Sequence, residues 1–505
     1  MAVKMNIASI AVIGAGVSGV SAAAHLLKNG LDVVLFERAS IAGGVWHFDP
    51  RSAPDPSFPN EKPSAGDYTF SPETAYQTPP PEEEDGGAFE IAHAPPSPCY
   101  AGLMNNVSTP LMRTSLGAWP EGTADFVSQK VLEEYIQSLA EVTGVNKVTK
   151  YNTRVEEVWK QGDTWKLRTT TLEKTTNRKR LRESHWTFDA VVVASGHYNM
   201  PRVPDMRGLS TWKQLWPGRV RHSKSYRRPT EFKNKTILLI GAGVSSCDIA
   251  REAGEYAKHI FQSSRGGVLD LPASFLPSNA SRIGAIKSFD LTGSEQHMGE
   301  ENHIPASITL EDGSKLCGID YVILCTGYIT SYPFLRQLHS DTTPKLEASD
   351  EILVTQEGDM VHNLWKDIFY IPDPTLAFVG APYHIATFSL FDFQAQTVAR
   401  TFANKARLPD TRIMRLEYQQ RVMTKGLGRD FHSLRGQGDE QAYVEDLVKW
   451  MNKDALLYGV DEMIGHTEEW FTANLAREEK LKWLRASKDQ QAEASKYDGK
   501  LETLC

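Results

Sequence analysis

The sequence has few cysteines and no long apolar run. Its five cysteines, in 505 residues, are Cys99, Cys247, Cys317, Cys325 and Cys505. None of them forms a CxxC pair, which excludes a dithiol disulfide-reductase centre and is typical of buried or incidental thiols in a reducing compartment. The longest apolar stretches, such as AVVVAS and YVILC, fall far short of the ~18 residues that a membrane-spanning helix needs. We therefore expect a soluble, cytoplasmic protein with no transmembrane segment.

Basic residues are not in excess either. The net charge is -8 and the pI is about 6.0, which argues against nucleic acid as the main partner because phosphate binding needs a basic face. The first residues show no charged-then-apolar pattern of a secretion signal, since IASIAVIGAG leads directly into a glycine motif, so no such signal is expected. The chain is too long for one ordinary core, so two or three domains are expected. The composition carries no signal for an oligomeric state.

Glycine, in contrast, occurs in a recurring pattern. Residues 6–38 predict a strand, a turn and a helix that feed a parallel strand, and the turn carries Gly14-x-Gly16-x-x-Gly19. The first glycine permits the tight turn, the second lets a pyrophosphate approach the backbone, and the third lets helix and strand pack closely. Glu37 ends the next strand, where a carboxylate accepts hydrogen bonds from ribose and repels a 2′-phosphate. This site is therefore expected to hold FAD or NAD.

The same unit recurs at residues 235–265. Its motif is Gly241-x-Gly243-x-x-Ser246, and Ser264, followed by Arg265, occupies the position that Glu37 has in the first copy. A hydroxyl beside a guanidinium favours a 2′-phosphate, so we predict NADPH here. One chain with an FAD-type site and an NADPH-type site predicts hydride transfer from nicotinamide to flavin. The fold class is then α/β with two Rossmann-like dinucleotide-binding domains.

The segments between these units differ in composition. Residues 49–98 are rich in Pro, Ser, Asp and Glu and predict an excursion on the surface. Residues 128–143 predict a helix, and the following TRVEEVWKQGDTWKLRTTT predicts a hairpin with a Gly-Asp turn. Residues 304–325 are β-rich, and the charged tail from residue 466 is helix-prone.

Several short stretches together resemble a known family. GAGVSG, GGVW, ASG, GAGVSSCDIA and CTGY follow one another in the order seen in the flavin-containing monooxygenases, which are class B flavoprotein monooxygenases. WPGRVRHSKSY matches that family's fingerprint F-x-G-x-x-x-H-x-x-x-(Y/F) through Trp216, Gly218, His222 and Tyr226, with Trp for the usual Phe. The resemblance spans roughly residues 7–450, and the Pro/Glu-rich insertion is similar to that of fungal members.

The resemblance implies an FAD-binding domain interrupted by an NADPH-binding domain, with boundaries at 1–195, 196–329 and 330–505. It implies the cofactors FAD and NADPH. The expected FAD-binding residues are Gly14, Gly16, Ser18, Gly19, Glu37, Arg38, Gly44, Val45, Trp46, Asn106, Val155 and Gln394. The residues expected at the NADPH site and at the domain crossing are Gly241, Gly243, Ser245, Ser246, Ser264, Arg265, Thr326 and Gly327. No metal ligand set is predicted.

The resemblance also assigns roles. YAGLMNNVSTPLM is similar to the family segment Y-x-x-L-x-(T/S)-N, which aligns Asn106 with the active-site asparagine, while Asn105 departs from the usual Thr or Ser. Residues 391–400 are similar to the helix whose N-terminus faces the flavin, where its dipole would stabilise the reduced ring. His222 is expected to act indirectly, through coupling of the two domains. Tyr226 and Trp216 are expected to pack.

The activity implied is FAD- and NADPH-dependent monooxygenation of a small molecule by O2 through a C4a-hydroperoxyflavin. The acceptor is a soft heteroatom, with nitrogen favoured (N-hydroxylation, N-oxide or nitrone formation), and the fungal resemblance favours a specialised-metabolite alkaloid. Two alternatives remain. Baeyer–Villiger oxygenation is disfavoured because Tyr226-Arg227 replaces the usual Trp followed by Pro or Asp. An NADPH oxidase-like flavoprotein would release only peroxide. The chain ends in SKYDGKLETLC and not in the apolar anchor of vertebrate members.

Overall fold

The computed structural model describes residues 5–60, 62–67, 87–175, 178–291 and 303–494. The strands are β1 (Ser9–Ile13), β2 (Asp32–Phe36), β3 (Thr149–Lys150), β4 (Thr153–Gln161), β5 (Thr164–Thr175), β6 (Arg178–Phe188), β7 (Ala190–Val193), β8 (Met200–Pro201), β9 (Val220–His222), β10 (Thr236–Ile240), β11 (His259–Ser263), β12 (Ala280–Ile283), β13 (Ile286–Leu291), β14 (Ala306–Leu310), β15 (Lys315–Leu316), β16 (Tyr321–Leu324), β17 (Tyr328–Ile329), β18 (Leu364–Trp365), β19 (Phe369–Tyr370) and β20 (Leu376–Phe378). The helices are α1 (Val17–Lys28), α2 (Ala88–His93), α3 (Gln129–Val142), α4 (Val145–Val148), α5 (Leu209–Leu215), α6 (Val244–Ala253), α7 (Thr387–Phe402), α8 (Thr411–Lys425), α9 (Asp439–Tyr458) and α10 (Glu468–Ala494).

The first nucleotide-binding unit is a seven-stranded sheet in the order β18-β19-β20-β7-β1-β2-β3. Strands β20, β7, β1, β2 and β3 run parallel to one another. Their apolar residues are buried on both faces, as parallel sheets require, and helices α1 and α7 pack together against one face. Since parallel strands end at one edge, the turn after β1 lies beside the ends of β2 and β7.

The second unit is a five-stranded sheet in the order β12-β11-β10-β16-β9, in which every pair is parallel. All of its strands lie in the chain between β7 and β18 of the first sheet. The α/β fold with two Rossmann-like units is therefore confirmed. The boundaries at residues 195 and 329 stay a prediction.

Most of the local predictions are confirmed. The helix expected at 128–143 is α3, and the expected hairpin is β4 and β5 around Gly162-Asp163. The charged tail is helical as α10. The sequence did not predict that β6 extends this hairpin into a three-stranded sheet. The last residues, 495–505, lie outside the described part of the chain.

The expectation of a surface excursion at residues 49–98 holds only in part for the residues that are described, since Arg51, Pro54 and Lys62 are exposed but other residues are not. Ala53, Pro63 and Phe89 are buried, and the side chain of Asp67 is only 4% exposed. Asp67 can be buried because it pairs with two charged side chains elsewhere in the fold, Arg38 and Lys224. Residues 61 and 68–86 of this segment lie outside the described residues.

Candidate active site

At the first glycine-rich turn, between β1 and α1, the backbone packs so closely against other backbone atoms that two of its positions have no room for a side chain. Gly14 has a φ of 101°, and a Cβ on it would lie 2.7 Å from the carbonyl oxygen of Ala194. A Cβ on Gly19 would lie 1.7 Å from the carbonyl oxygen of Gly14. The N-cap of α1 is Gly16, and no side chain caps the helix. The backbone N–H groups of its first turn are thus positioned for an anionic ligand.

The second turn, between β10 and α6, repeats this geometry with one difference. Gly241 has a φ of 110°, and a Cβ on it would lie 2.5 Å from the carbonyl oxygen of Cys325. Gly243 is the N-cap of α6, again without a side-chain cap. Ser246 replaces the third glycine and is fully buried, and its hydroxyl accepts a hydrogen bond from Gln262 Nε2 at 2.7 Å. Helix α6 therefore has room for a small side chain where α1 has none.

A single cavity of about 1750 Å³ reaches both turns. Its volume exceeds the ~300–1000 Å³ of a pocket for one small ligand, so it is large enough for more than one. The wall includes Gly16, Ser18, Gly44 and Val45 at the first turn and, at the second, Gly243 and Ser245. Trp46 and Val155 also line it.

The composition of this wall fits dinucleotide cofactors. A Cβ on Gly44 would lie 2.8 Å from the Cα of Gly16, so two glycines are needed where these segments meet. The hydroxyl of Ser195, which lines the cavity, is buried and has no hydrogen-bond partner among the described residues. A ligand rich in phosphate and hydroxyl oxygens would satisfy this hydroxyl and the uncapped helix N-termini together.

Adjacent asparagines differ in what they do. Asn105 is buried, and its amide group hydrogen-bonds the backbone of Val107, Asp125 and Val127 at 2.6–2.8 Å. Asn106 is exposed, lines the cavity, and forms no side-chain hydrogen bond within the described ranges. Asn105 thus holds the loop in shape, and the amide of Asn106 is available to a ligand in the cavity.

Glu37 lies at the cavity wall after β2. Its carboxylate accepts hydrogen bonds from the backbone N–H groups of Ala15, at 2.6 Å, and Ala39, at 2.8 Å. These bonds tie the glycine-rich turn to the end of β2. Its predicted contact with ribose stays a prediction.

Arg38, the next residue, belongs to a buried ion cluster that the sequence did not predict. Asp67 receives a bidentate pair from Arg38 at 2.8 and 2.9 Å and the ammonium of Lys224 at 2.9 Å. Burial raises the pKa of Asp67, but these two cations more than offset it and hold the pKa well below its usual range. Arg38 also contacts the side chain of Asn199. This Asp67 cluster joins the insertion, the first nucleotide unit and the fingerprint segment.

His222 of the fingerprint is wholly buried in β9 and is not itself part of the cavity wall, although its ring packs edge-on against the wall residue Tyr328. Its Nδ1 accepts a hydrogen bond from the Lys224 N–H at 3.1 Å, so Nε2 carries the proton and donates to the Gly327 carbonyl oxygen at 3.1 Å. Burial and the charge of Lys224 lower the pKa of His222 to about 3. The imidazole is therefore a neutral clamp between two chain segments.

His222 holds the segment around Gly327, which is one of two neighbouring segments where the chain crosses between the two nucleotide-binding units. Strand β17, just after Gly327, pairs with β8, so the outgoing and returning chains run antiparallel. Thr326 donates its hydroxyl hydrogen to the carbonyl oxygen of Arg202, and the Arg202 N–H donates to Gly327. Neither Thr326 nor Gly327 lines the cavity.

The other fingerprint residues pack. Tyr226 is 1% exposed, and its hydroxyl donates to Glu252 Oε2 at 2.5 Å. Trp216 lies edge-on against Trp212 with ring centroids 5.4 Å apart. A Cβ on Gly218 would meet nothing within 4 Å, so nothing in the structure explains a glycine there.

The predicted 2′-phosphate contacts lie at the end of β11. Arg265 is exposed and forms no hydrogen bond within the described residues. Ser264 donates its hydroxyl hydrogen to the carboxylate of Asp270, which also accepts the Gly267 N–H at 2.9 Å. This carboxylate beside the serine was not predicted from the sequence. A phosphate contact at this site therefore depends on Arg265.

Gln394 does not lie in the cavity wall, in contrast to its predicted contact with FAD. Its amide is fully buried in α7, where Oε1 accepts the Gly380 N–H at 2.9 Å and Nε2 donates to Tyr443 at 2.7 Å. Both ends of the side chain already have protein partners, so Gln394 supports the wall from behind.

Comparisons with known proteins agree with this architecture. The family model of flavin-binding monooxygenase-like proteins matches residues 90–274 and 298–460, and that of NAD(P)-binding Rossmann-like domains matches residues 12–62. Flavin-containing monooxygenase ustF2 of Aspergillus flavus is 42% identical, covering 94% of this chain and 97% of its own. Flavin-containing monooxygenase iboF of Amanita muscaria is 32% identical, covering 90% and 89%.

Solved structures share the fold. S-allyl-L-cysteine S-oxygenase from Allium sativum superposes with a TM-score of 0.65 at 22% identity, covering 97% of both chains. Cyclohexanone monooxygenase superposes with a TM-score of 0.54 at 12% identity, covering 92% of this chain and all of its own. In the described ranges, each helix is too short or too polar to span a membrane. The chain belongs to the flavin-containing monooxygenase family, whose cofactors are FAD and NADPH.

Proposed function

We propose that this enzyme oxygenates a soft heteroatom, preferentially nitrogen, in a small specialised metabolite of the alkaloid class. The observation that carries the proposal is the amide of Asn106, available in one cavity that also reaches both glycine-rich turns. The proposal needs no side chain to attack the substrate. The free cysteines Cys99 and Cys247 are buried, and burial raises the pKa of both thiols, so neither is a ready nucleophile.

The bound flavin, reduced by NADPH, supplies the chemistry that activates O2. The chain supplies position and shielding. The uncapped N-termini of α1 and α6 bind the two pyrophosphates, and Glu37 orients the first turn. Asn106 donates a hydrogen bond at the reacting end of the cavity, and the surrounding walls limit the entry of water.

Nitrogen is proposed first because the family resemblance implies a soft heteroatom acceptor, usually an amine nitrogen or a sulfur; the fungal relatives ustF2, ustF1 and iboF are flavin-containing monooxygenases whose names specify no acceptor. Sulfur is the second candidate. A thiol-specific monooxygenase of Saccharomyces cerevisiae is 26% identical over 80% of this chain, and a solved structure of similar fold acts on the sulfur of S-allyl-L-cysteine.

The matched probes N,N-dimethylbenzylamine and benzyl methyl sulfide separate these two readings. They differ chiefly in the heteroatom, so shape alone cannot explain a preference. Incubation of the FAD-loaded enzyme with NADPH and ¹⁸O₂ should give an N-oxide with one labelled oxygen, at a higher kcat/KM than the sulfoxide. Sulfoxide alone would contradict the nitrogen preference but retain heteroatom oxygenation.

Two other outcomes would overturn the proposal altogether. An ester from phenylacetone, with no product from either heteroatom probe, would establish Baeyer–Villiger activity. Peroxide equal to the NADPH consumed, with every probe, would establish an oxidase. Arg227 does not support Baeyer–Villiger activity, because its guanidinium is fixed inside the fold. It donates hydrogen bonds to the carbonyl oxygens of Arg51, Ser97, Lys224 and Tyr226.

A further inference from the structure

Helix α10 packs directly onto the loop that carries Asn106 and onto the start of α7. Trp470 is 3% exposed and lies in a small apolar cluster with Leu111 and Ala386, and Val107 and Ala473 pack against that cluster. Val107 follows Asn106, and Ala386 is the N-cap of α7. One helix thus touches both the Asn106 loop and the N-terminus of α7.

A partly buried ion pair fixes α10 in this position. Arg477 Nη1 lies 2.9 Å from Glu440 Oε2, and Glu440 Oε1 accepts the N–H of Ala386 at 2.9 Å. The side chain of Glu440 is 8% exposed and that of Arg477 is 21% exposed. A carboxylate buried to this extent needs a charged partner, and Arg477 is the cation that reaches it. Glu440 therefore links α10 to the start of α7.

The same face of α10 lines the cavity. Ala473, Asn474, Arg477 and Leu481, spaced at helical intervals, are all part of its wall together with Asn106. The match to the family model ends at residue 460, before α10 begins. This part of the wall is consequently built from a segment outside the part of the chain that this family model matches.

We propose that α10 is the wall that closes the substrate end of the cavity against solvent, and that Arg477 is a positioning residue that holds it there through Glu440. Side chains on its inner face, Asn474 and Leu481 above all, then limit which acceptors fit. This inference rests on the proposed function because it names a substrate. The shielding of the cavity from solvent does not depend on that function. Water excluded in this way cannot release peroxide early.

Two readouts on the FAD-loaded enzyme test the proposal. Acrylamide quenching of flavin fluorescence reports access of solvent to the cavity, and peroxide released in air with NADPH alone reports loss of activated oxygen. Arg477→Ala should raise both, peroxide release by roughly tenfold, the equivalent of about 1.4 kcal/mol. The KM for NADPH should stay unchanged, and Arg477→Lys should restore both readouts in part.

Controls keep the result specific. Arg412→Ala, on the exposed face of α8, and Leu475→Ala, 65% exposed on the outer face of α10, should behave as wild type. Leu481→Ala removes part of the wall and leaves the Arg477–Glu440 pair in place, so it should also raise quenching. If Arg477→Ala does not fold, the Leu481 variant alone tests whether α10 shields the cavity. Unchanged quenching and peroxide release in the folded Arg477 and Leu481 variants would overturn the proposal.

The outcome is separable from the proposed function. If wild-type enzyme releases one peroxide per NADPH with amine and thioether probes alike, heteroatom oxygenation fails. The quenching comparison would still decide whether α10 closes the cavity.

Discussion

Replacement of His222 by alanine tests whether this residue holds the fingerprint segment against the returning crossing. The imidazole has no exposed surface. Its removal leaves the buried Lys224 N–H without an acceptor, which costs about 1–3 kcal/mol. The unfilled space adds roughly 1–2 kcal/mol. The Gly327 carbonyl oxygen still accepts the hydrogen bond from the Arg202 N–H at 2.8 Å, so the loss of the imidazole donor there adds little to the cost. The expected loss in the free energy of unfolding is therefore about 2–5 kcal/mol.

Urea titration of the holoenzyme measures this loss. His185→Ala is the matched control, because its side chain is 63% exposed, and it should change stability by less than ~0.5 kcal/mol. If His222 also positions the second nucleotide unit, the KM for NADPH should rise about 2- to 12-fold in its variant, the equivalent of one net hydrogen bond. Equal urea midpoints for the His222 and His185 variants, with an unchanged KM, would refute the reasoning.

Further predictions concern pH, specificity and coupling. In the unfolded chain a histidine titrates near ~6.5, whereas His222 stays neutral down to about 3. Its contribution is thus present above pH ~6.5 and lost as the pH falls, by about 1.4 kcal/mol per unit. The stability difference between wild type and His222→Ala should shrink accordingly in urea titrations at pH 7 and pH 5, and a constant difference would contradict the neutral clamp. Arg265→Ala should raise the KM for NADPH roughly tenfold and leave that for NADH alone, whereas Arg251→Ala should change neither. Equal effects on both nucleotides would remove the 2′-phosphate assignment. Asn106→Ala should raise the ratio of peroxide to oxygenated product, and an unchanged ratio would exclude its role.

The parts of the site that the sequence predicted depend on local backbone geometry. Gly14 and Gly241 adopt positive φ values beside a neighbouring strand, and the spacing of glycines reports such turns directly. Glu37 and Ser264 each come directly after a strand, β2 and β11, so their positions follow from the predicted strand ends alone. Helix α3 was predicted from its local sequence, whereas α7 was expected from the family resemblance of residues 391–400.

The remainder depends on contacts between distant residues. Asp67 lies in a segment whose composition indicates solvent exposure, and only the approach of Arg38 and Lys224 makes its burial favourable. Glu440 and Arg477 are ordinary helical charges in sequence. Gln394 was assigned to the cofactor from its neighbourhood in the family, but both ends of its amide bind protein atoms. No spacing rule encodes such partners.

The central claim is that FAD and NADPH occupy one cavity of this chain, close enough for direct hydride transfer. Anaerobic mixing of the FAD-loaded enzyme with NADPH, followed by the visible flavin absorbance, tests it most directly. Complete bleaching in a single first-order phase that saturates with NADPH is expected. A flavin that remains bound and oxidised at saturating NADPH would contradict it.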